Sequence, residues 1–285
     1  MLKKWLPELL PFITDLCNAS LQQDCLSLGQ RHAIVRPRLK KAGVDASNVQ
    51  NYRPVSNLAC IATVVERLVC RQLVAFFERL RLLSSVQSAY RSKHSRKTAV
   101  LKMTTDVMRA SDRGVVSLLC MLDLSATYDT VDHDILIGRL QQSFGVKGLT
   151  LCWIESFLRN RTQSVSIDGV LSTRSLLTRG VLQRSVLCPF LFLVYCADVI
   201  TIARRHGLEV HADDTQLYFH ADPSAVDSKV QKLVTCVSIG QWMCANRLKL
   251  NQNKTQFIWL GTPYQLSKLQ LQMITPSTEC AQRRR

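Results

Sequence analysis

The stretch Leu208-Glu-Val-His-Ala-Asp-Asp-Thr-Gln-Leu-Tyr-Phe219 places two adjacent carboxylates between two short apolar runs. Each run is too short for a helix and long enough for a strand, so the stretch predicts a hairpin with Asp213 and Asp214 at its turn. Two neighbouring carboxylates repel each other, and a bound divalent cation is the simplest relief of that repulsion. The hairpin therefore indicates either a metal site or a solvated acidic turn.

A second apolar strand, Val115-Val-Ser-Leu-Leu-Cys-Met-Leu-Asp123, also ends in a carboxylate. A strand-end aspartate combined with an Asp-Asp hairpin is a layout that two-metal phosphoryl-transfer enzymes use. Taken alone, Asp123 is equally compatible with a helix cap or a surface acid. On this chemistry, polymerases and two-metal nucleases both stay open.

The composition favours a folded domain with a polyanionic partner. The 285 residues are 47% hydrophobic and carry a formal net charge of +16, which points to nucleic acid, with a merely basic surface as the alternative. The 11 cysteines form no C-x-x-C pair, so we expect reduced thiols, no disulfide-linked partner, and a nuclear or cytoplasmic location. No run is apolar over the ~20 residues that a membrane span needs, and Pro7 and Glu8 interrupt any signal-like start, so we expect neither membrane association nor secretion.

Helical and strand patterns mix without a regular βαβ alternation, which predicts an α+β fold with a mostly antiparallel sheet flanked by helices. The strongest helix signal runs from Ile61 to Leu80, with Val64, Leu68, Leu73 and Phe77 on an apolar stripe that we assign to the core. The other predicted helices cover 5–29, 95–110, 131–144, 149–158, 189–205 and 224–245, and further strands cover 32–35, 163–167 and 256–260.

Six ordered blocks closely resemble the reverse transcriptases of non-LTR (LINE-type) retrotransposons, especially the jockey and chicken-repeat-like group. Two of them carry the acids: Leu122-Asp-Leu-Ser-Ala-Thr-Tyr-Asp-Thr-Val-Asp-His133 and His211-Ala-Asp-Asp-Thr-Gln-Leu-Tyr218. The others are Asn51-Tyr-Arg-Pro-Val-Ser-Asn-Leu58, Gln87-Ser-Ala-Tyr-Arg91, Gly180-Val-Leu-Gln-Arg-Ser-Val-Leu-Cys-Pro189 and Leu248-Lys-Leu-Asn-Gln-Asn-Lys-Thr255. The likeness covers about residues 10–265 and makes an unrelated nuclease a distant alternative.

The resemblance implies a right-hand polymerase with fingers and palm and with the thumb largely missing. We expect a fingers-like region over 1–114, a palm over 115–262 with a fingers hairpin near 162–178, and a truncated start of the thumb or a polar tail over 263–285. The implied enzyme is an RNA-directed DNA polymerase, a nucleotidyltransferase whose partners are an RNA template, a DNA primer or target, and deoxynucleoside triphosphates (dNTPs).

The resemblance also implies which residues act. Asp123 and Asp213 would bind two Mg²⁺ ions, with Asp214 assisting and Mn²⁺ as an alternative ion. One ion would activate the primer 3′-hydroxyl and the other would hold the triphosphate. The implied nucleotide-binding residues are Arg53, Tyr128, Gln183, Ser185 and Lys254, with Tyr128 excluding a ribose 2′-hydroxyl. The implied nucleic-acid contacts are Lys40, Lys41 and Arg91, for which a solvated basic surface is the alternative.

Several positions depart from the related sequences. Those usually read G-V-P-Q-G-S-V-L-G-P where this chain has Leu182, Arg184 and Cys188, and Lys93 also stands where glycine is common. Glycine adopts backbone angles closed to other residues and lets substrate approach closely. Arg184 adds a long cationic side chain beside the nucleotide pocket, where it would either block the pocket or turn toward phosphate. We therefore expect the polymerase class with impaired turnover. The alternatives are a catalytically impaired nucleic-acid-binding relic and a fragment that does not fold stably.

Overall fold

The structure is a computed structural model that describes residues 2–84, 87, 93–122, 124–125, 128–205, 209–211, 216–226, 239–251 and 254–269. The helices are α1 (Leu2–Gln22), α2 (Cys60–Arg79), α3 (Arg96–Asp112), α4 (His133–Gln142), α5 (Gly148–Leu158), α6 (Cys188–Tyr195), α7 (Ala197–Arg205), α8 (Ile239–Ala245) and α9 (Pro263–Ser267). The strands are β1 (His32–Leu39), β2 (Tyr52–Asn57), β3 (Val116–Met121), β4 (Leu124–Ser125), β5 (Arg161–Ile167), β6 (Val170–Leu171), β7 (Ser175–Leu177), β8 (Glu209–His211), β9 (Gln216–Ala221), β10 (Lys249–Leu250) and β11 (Gln256–Leu260). The chain forms two compact units, residues 1–75 with 128–195 and residues 76–127 with 196–285.

The first unit is built on a sheet with the strand order β2-β1-β5-β6, in which β7 also pairs with β5. Strand β1 runs antiparallel to β2 and parallel to β5. The β5–β6 turn places Asp168 at φ 50° and Gly169 at φ 85°, the two positive φ angles that a tight two-residue hairpin turn needs. Helix α5 contributes core aromatics, since Trp153 and Phe157 are both 1% exposed and stack with ring centroids 5.7 Å apart.

The second unit contains a sheet with the order β11-β3-β9-β8, in which every pair is antiparallel. Strand β3 has a neighbour on each side and is buried from Val116 to Cys120, which accounts for a sequence that is apolar apart from Ser117. A short antiparallel pair joins β4 to β10. The predicted α+β fold with a mostly antiparallel sheet is confirmed.

Two predicted helices differ from those observed. The single helix expected over 189–205 is two helices, α6 and α7, separated at Cys196. On α2 the predicted stripe is confirmed at Leu73 and Phe77, which are 3% and 0% exposed. Towards the start of the helix the buried face passes instead through Val65 and Val69, while Leu68 is 36% exposed. Several apolar residues follow one another here, so periodicity fixes the helix but leaves the phase of its buried face to tertiary packing.

Helix α3 and strand β11 lie where the sequence predicted them. Ser95 caps α3 in a reciprocal capping box with Thr98, and β11 covers the predicted residues 256–260. Part of the helix predicted over 224–245 lies outside the described residues, and α8 begins at Ile239. None of the described helices is both long and apolar enough to cross a bilayer.

Candidate active site

Three strands of the second unit's sheet have a terminal residue at the same end of the sheet. Met121, the last residue of β3, pairs with Gln216, the first residue of β9. Gln216 also pairs with His211, the last residue of β8. The register therefore brings the end of β3 together with the two residues that flank the acidic segment 212–215.

The three predicted metal ligands, Asp123, Asp213 and Asp214, lie outside the described residues. Among the residues that are described, no group of three or more His, Cys, Asp or Glu side chains is arranged to hold a metal ion. Metal binding by these acids stays a prediction, and the strand register is the structural observation that bears on it.

The chain around position 123 is held on both sides. Leu122 is 5% exposed, and β4 pairs Leu124 with Leu250 and Ser125 with Lys249 of β10. Beyond β10, the N–H groups of residues 254 and 255 donate to the carbonyl oxygen of Asn251 at 3.2 and 2.9 Å. This turn presents the exposed side chain of Lys254, whose predicted contact with nucleotide stays a prediction.

In the first unit, the block after position 127 packs against the segment from Gly180 to Leu187, which we call the 180–187 loop. The N–H of Val181 donates to the carbonyl oxygen of Tyr128 at 2.7 Å, and that of Gly180 donates to the carbonyl oxygen of Val131 at 2.8 Å. The ring of His133 donates from Nε2 to the carbonyl oxygen of Gly180 at 2.8 Å. Two sequence blocks that are about 50 residues apart thus form one backbone-bonded assembly.

Tyr128 and Gln183, two predicted nucleotide-binding residues, flank this assembly. The half-buried ring of Tyr128 meets Phe192 edge to face, with centroids 5.4 Å apart. The Gln183 amide Nε2 donates weakly to the Asp129 carboxylate at 3.3 Å. Reduced solvation raises the pKa of Asp129, and the Gln183 hydrogen bond opposes that rise.

Ser185 faces the protein interior. It is 4% exposed, and its hydroxyl donates to Oε2 of Glu66 at 2.7 Å, while the N–H of Val186 donates to the same oxygen at 2.8 Å. The Ser185 hydroxyl is thus bonded within the fold, and a direct nucleotide contact by Ser185 stays a prediction.

Sequence reasoning missed Glu66 and Asp129 as groups that hold the loop. Glu66 lies four residues after Ala62 and three before Val69, both buried on α2. A carboxylate on the buried face of a helix rarely lacks a bonding partner. Once it is known which face of α2 is buried, this spacing indicates that Glu66 has such a partner. Asp129 gave no separate signal, because it lies inside the block that contains Asp123.

Arg184 is exposed and has a φ of +74°. This left-handed region disfavours residues that carry a Cβ. The family resemblance implies glycine at this position and at Lys93, whose φ is +62°. The backbone at both positions therefore keeps a conformation suited to glycine while the side chain has changed.

Replacing Arg184 with glycine is expected to stabilise the protein by up to about 1 kcal/mol, because relief of the left-handed strain outweighs the entropy that glycine adds to the unfolded chain. Arg179→Gly is the matched control, since Arg179 is also exposed and has no positive φ. In denaturant unfolding, Arg184→Gly should raise the free energy of unfolding and Arg179→Gly should lower it. Equal destabilisation by both would contradict the strain assigned to Arg184.

Basic side chains collect on the β1–β2 hairpin of the first unit. Arg53 is exposed and lies directly across from Arg38 in the register of β1 and β2. Like charges opposite each other destabilise a strand pair, so this pair is suited to an anionic ligand. Lys40 and Lys41 follow as exposed cations, and Lys40 Nζ donates to the carbonyl oxygen of Gln50 at 2.6 Å. Arg91 lies outside the described residues.

Comparison with known proteins gives a consistent result. Residues 39–274 match the family model described as reverse transcriptase (RNA-dependent DNA polymerase). The chain is 26% identical over 200 residues to the RNA-directed DNA polymerase from mobile element jockey of Drosophila melanogaster, covering 70% of this chain and 21% of that protein. It is also 26% identical over 225 residues to the probable RNA-directed DNA polymerase from transposon BS of the same fly, covering 76% of this chain and 24% of that protein.

A solved structure supports the fold. Apo telomerase from Candida tropicalis, truncated from its C-terminal domain, superposes with a TM-score of 0.58 at 12% identity, covering 82% of this chain and 51% of that one. At this identity the match shows the fold alone. The chain spans about a fifth to a quarter of the length of the two fly proteins.

Proposed function

Because the chain belongs to the reverse transcriptase (RNA-dependent DNA polymerase) family, we propose that it extends a DNA primer on an RNA template, as a polymerase domain of a non-LTR retrotransposon. In that reaction the primer 3′-oxygen forms a bond to the α-phosphorus of a dNTP, and the bond to pyrophosphate breaks. The supporting observation is the register that joins Met121, Gln216 and His211 at one sheet edge.

Chain length links this register to the acids. Asp123 follows Met121 by two residues, Asp213 follows His211 by two, and Asp214 precedes Gln216 by two. Two residues of chain reach at most about 7 Å, so each of the three acids is at most that length of chain from one of these three strand ends. We propose that the neighbourhood of these strand ends is the catalytic centre of the polymerase.

The donor set suits Mg²⁺, which prefers carboxylate oxygen and needs no imidazole or thiolate. Asp123 and Asp213 would hold two ions with help from Asp214, and Mn²⁺ would be accepted by the same oxygens. When bound, these ions supply charge that activates the 3′-hydroxyl and neutralises the triphosphate. The protein's own contribution would be to keep these carboxylates close to the paired strand ends.

Other residues of the chain would bind and orient the substrates. The edge-to-face packing of Tyr128 on Phe192 supports a fixed aromatic that selects deoxyribose. The hydrogen bond between Gln183 and Asp129 supports a fixed amide beside the nascent base pair. Arg53 and Lys254 would contact the triphosphate, since a guanidinium fork matches phosphate oxygens. The fingers-like region over 1–114 and the palm over 115–262 are proposed on the same family grounds.

The partners proposed are an RNA template, a DNA primer or target, and dNTPs. The net charge of +16 supports polyanionic partners. The nine cysteines within the described ranges carry free thiols, which supports a reducing nuclear or cytoplasmic environment.

A primer-extension assay on an RNA template with dNTPs and Mg²⁺ tests the proposal directly. We expect weak extension by the natural sequence and at least about tenfold more by the Leu182→Pro/Arg184→Gly variant, because glycine at 184 relaxes the backbone and removes a cation from the loop. Extension by neither protein, when both unfold cooperatively, would overturn the catalytic proposal.

A nucleic-acid-binding relic is the second candidate, and the left-handed Arg184 favours it. It predicts RNA affinity that falls steeply with salt, because each neutralised phosphate releases counterions.

Arg53→Ala and Arg38→Ala should each weaken binding and reduce the slope of log K against log salt by about one. The exposed Lys147, at the start of α5, gives the control Lys147→Ala. Fluorescence anisotropy at several salt concentrations measures the slopes, and equal slopes for all three variants would contradict a binding role for the hairpin.

A further inference from the structure

A buried carboxylate lies beneath the 180–187 loop. Glu66 is 0% exposed, and its Oε2 accepts hydrogen bonds from the Ser185 hydroxyl and the Val186 N–H at 2.7 and 2.8 Å. A carboxylate makes stronger hydrogen bonds than a neutral acceptor. One oxygen of α2 therefore holds two consecutive residues of the loop.

We propose that Glu66 is a positioning residue that fixes the 180–187 loop and thereby the place of Gln183 and Arg184. This proposal rests on the proposed function, in which Gln183 stands beside the nascent base pair. Glu66 touches neither primer nor nucleotide and acts only through the loop.

The loop's own geometry makes this anchor effective. The N–H of Ser185 donates to the carbonyl oxygen of Leu182 at 3.1 Å, which closes a turn around Gln183 and Arg184. Leu182 and Ser185, the two ends of the turn, are 6% and 4% exposed, whereas Arg184 is exposed. Glu66 holds the downstream end of the turn, so loss of its bonds would let the turn shift relative to the core.

A buried cation accompanies Glu66. Arg161, on β5, is 3% exposed; its guanidinium lies 4.3 Å from the Phe157 ring centroid, and Nη1 and Nη2 make no hydrogen bond to the described residues. Burial lowers the pKa of Arg161 to about 10, and the charge of Glu66 opposes that effect. Glu66 therefore has two separable roles, as hydrogen-bond acceptor for the loop and as opposite charge for Arg161.

Four variants separate these roles. Glu66→Ala removes both roles, and Ser185→Ala removes one of the two hydrogen bonds. Glu66→Gln keeps an acceptor oxygen but removes the charge. Glu66→Gln/Arg161→Met removes both charges and keeps the acceptor, so it stays informative if Glu66→Ala fails to fold. Glu155→Gln is the matched control, since Glu155 is a surface carboxylate paired with Arg159.

Hydrogen–deuterium exchange measures how firmly Glu66 holds the loop, and it does not require enzymatic activity. In the peptide covering 182–187, we expect exchange about tenfold faster in Ser185→Ala, which loses one charge-assisted hydrogen bond, and faster still in Glu66→Ala, which loses both. Glu66→Gln and Glu66→Gln/Arg161→Met, which keep only a neutral acceptor, should exchange at rates between those of the unchanged protein and Ser185→Ala. Glu155→Gln should exchange as the unchanged protein does. Unchanged exchange in both Glu66→Ala and Ser185→Ala would overturn the proposal.

Single-nucleotide incorporation then measures the effect of the loop position on nucleotide binding. We expect the KM for dNTP to rise about tenfold in both Glu66→Ala and Ser185→Ala while kcat changes less than about threefold, because a misplaced Gln183 weakens binding. A rise in Ser185→Ala alone would point to a direct nucleotide contact by Ser185 and would overturn the positioning role. Faster loop exchange with an unchanged KM would overturn the positioning role. If no variant or background extends a primer, the proposed function fails, whereas the exchange result still decides whether Glu66 anchors the loop.

Discussion

Asp213→Ala is expected to lower primer extension by on the order of 10³-fold or more. Asp213 is proposed as a metal ligand, which would contribute several kcal/mol of transition-state stabilisation, and each 1.36 kcal/mol is about tenfold in rate. The substitution removes one carboxylate from a short segment between β8 and β9, so the strand pairing of Met121, Gln216 and His211 should persist. RNA affinity should change little, because basic side chains carry it.

The control is another aspartate beside the same strand. Asp222 follows β9 at the end opposite Gln216, where it accepts hydrogen bonds from the N–H and hydroxyl of Ser224. Asp222→Ala removes the same group from the far edge of the sheet and should leave extension nearly unchanged. Both substitutions are to be measured in the natural sequence and in the Leu182→Pro/Arg184→Gly background. Full extension by Asp213→Ala in the more active background would exclude a catalytic role for Asp213.

Local chemistry made much of this fold predictable. The capping box at Ser95 and the two-residue turn at Asp168 and Gly169 need only residues close in sequence. The apolar run of β3 and the short runs around the acidic hairpin identify strands by length. Together with the absence of a regular βαβ alternation, these signals predicted the α+β class and a mostly antiparallel sheet.

Long-range partners were not predictable in the same way. The parallel pairing of β1 with β5 joins Val35 to Val165 across about 130 residues, and no local pattern specifies which strand a neighbour will be. Glu66 was missed for a related reason, because its partners Ser185 and Val186 lie about 120 residues away. The strand-end and hairpin pattern identified Asp123, Asp213 and Asp214, whereas the nucleotide-binding residues came from the family resemblance, since isolated charges such as Lys254 carry little information in a basic chain.

Gly180→Ala is expected to destabilise the protein by about 2–5 kcal/mol. Gly180 has a φ of +83°, and a left-handed residue with a Cβ is strained by about 1–2 kcal/mol. A Cβ on Gly180 would also lie 2.9 Å from the Cα and carbonyl oxygen of Asp129. These are backbone atoms, so relief requires the chain itself to shift, which typically adds about 1–3 kcal/mol.

Gly145→Ala isolates the contribution of backbone strain. Gly145 has a φ of +67°, and no atom lies within 4 Å of the position that a Cβ would take there, so this variant should lose only about 1 kcal/mol. The difference between the two variants in denaturant unfolding measures the contact of Gly180 with Asp129. That contact matters for function because Val181 and Gly180 bond to Tyr128 and Val131, so a displaced loop would move the aromatic proposed to select deoxyribose. Equal destabilisation by both variants would show that the two segments have room to separate, and the fixed placement of Tyr128 would then have to come from Phe192 alone.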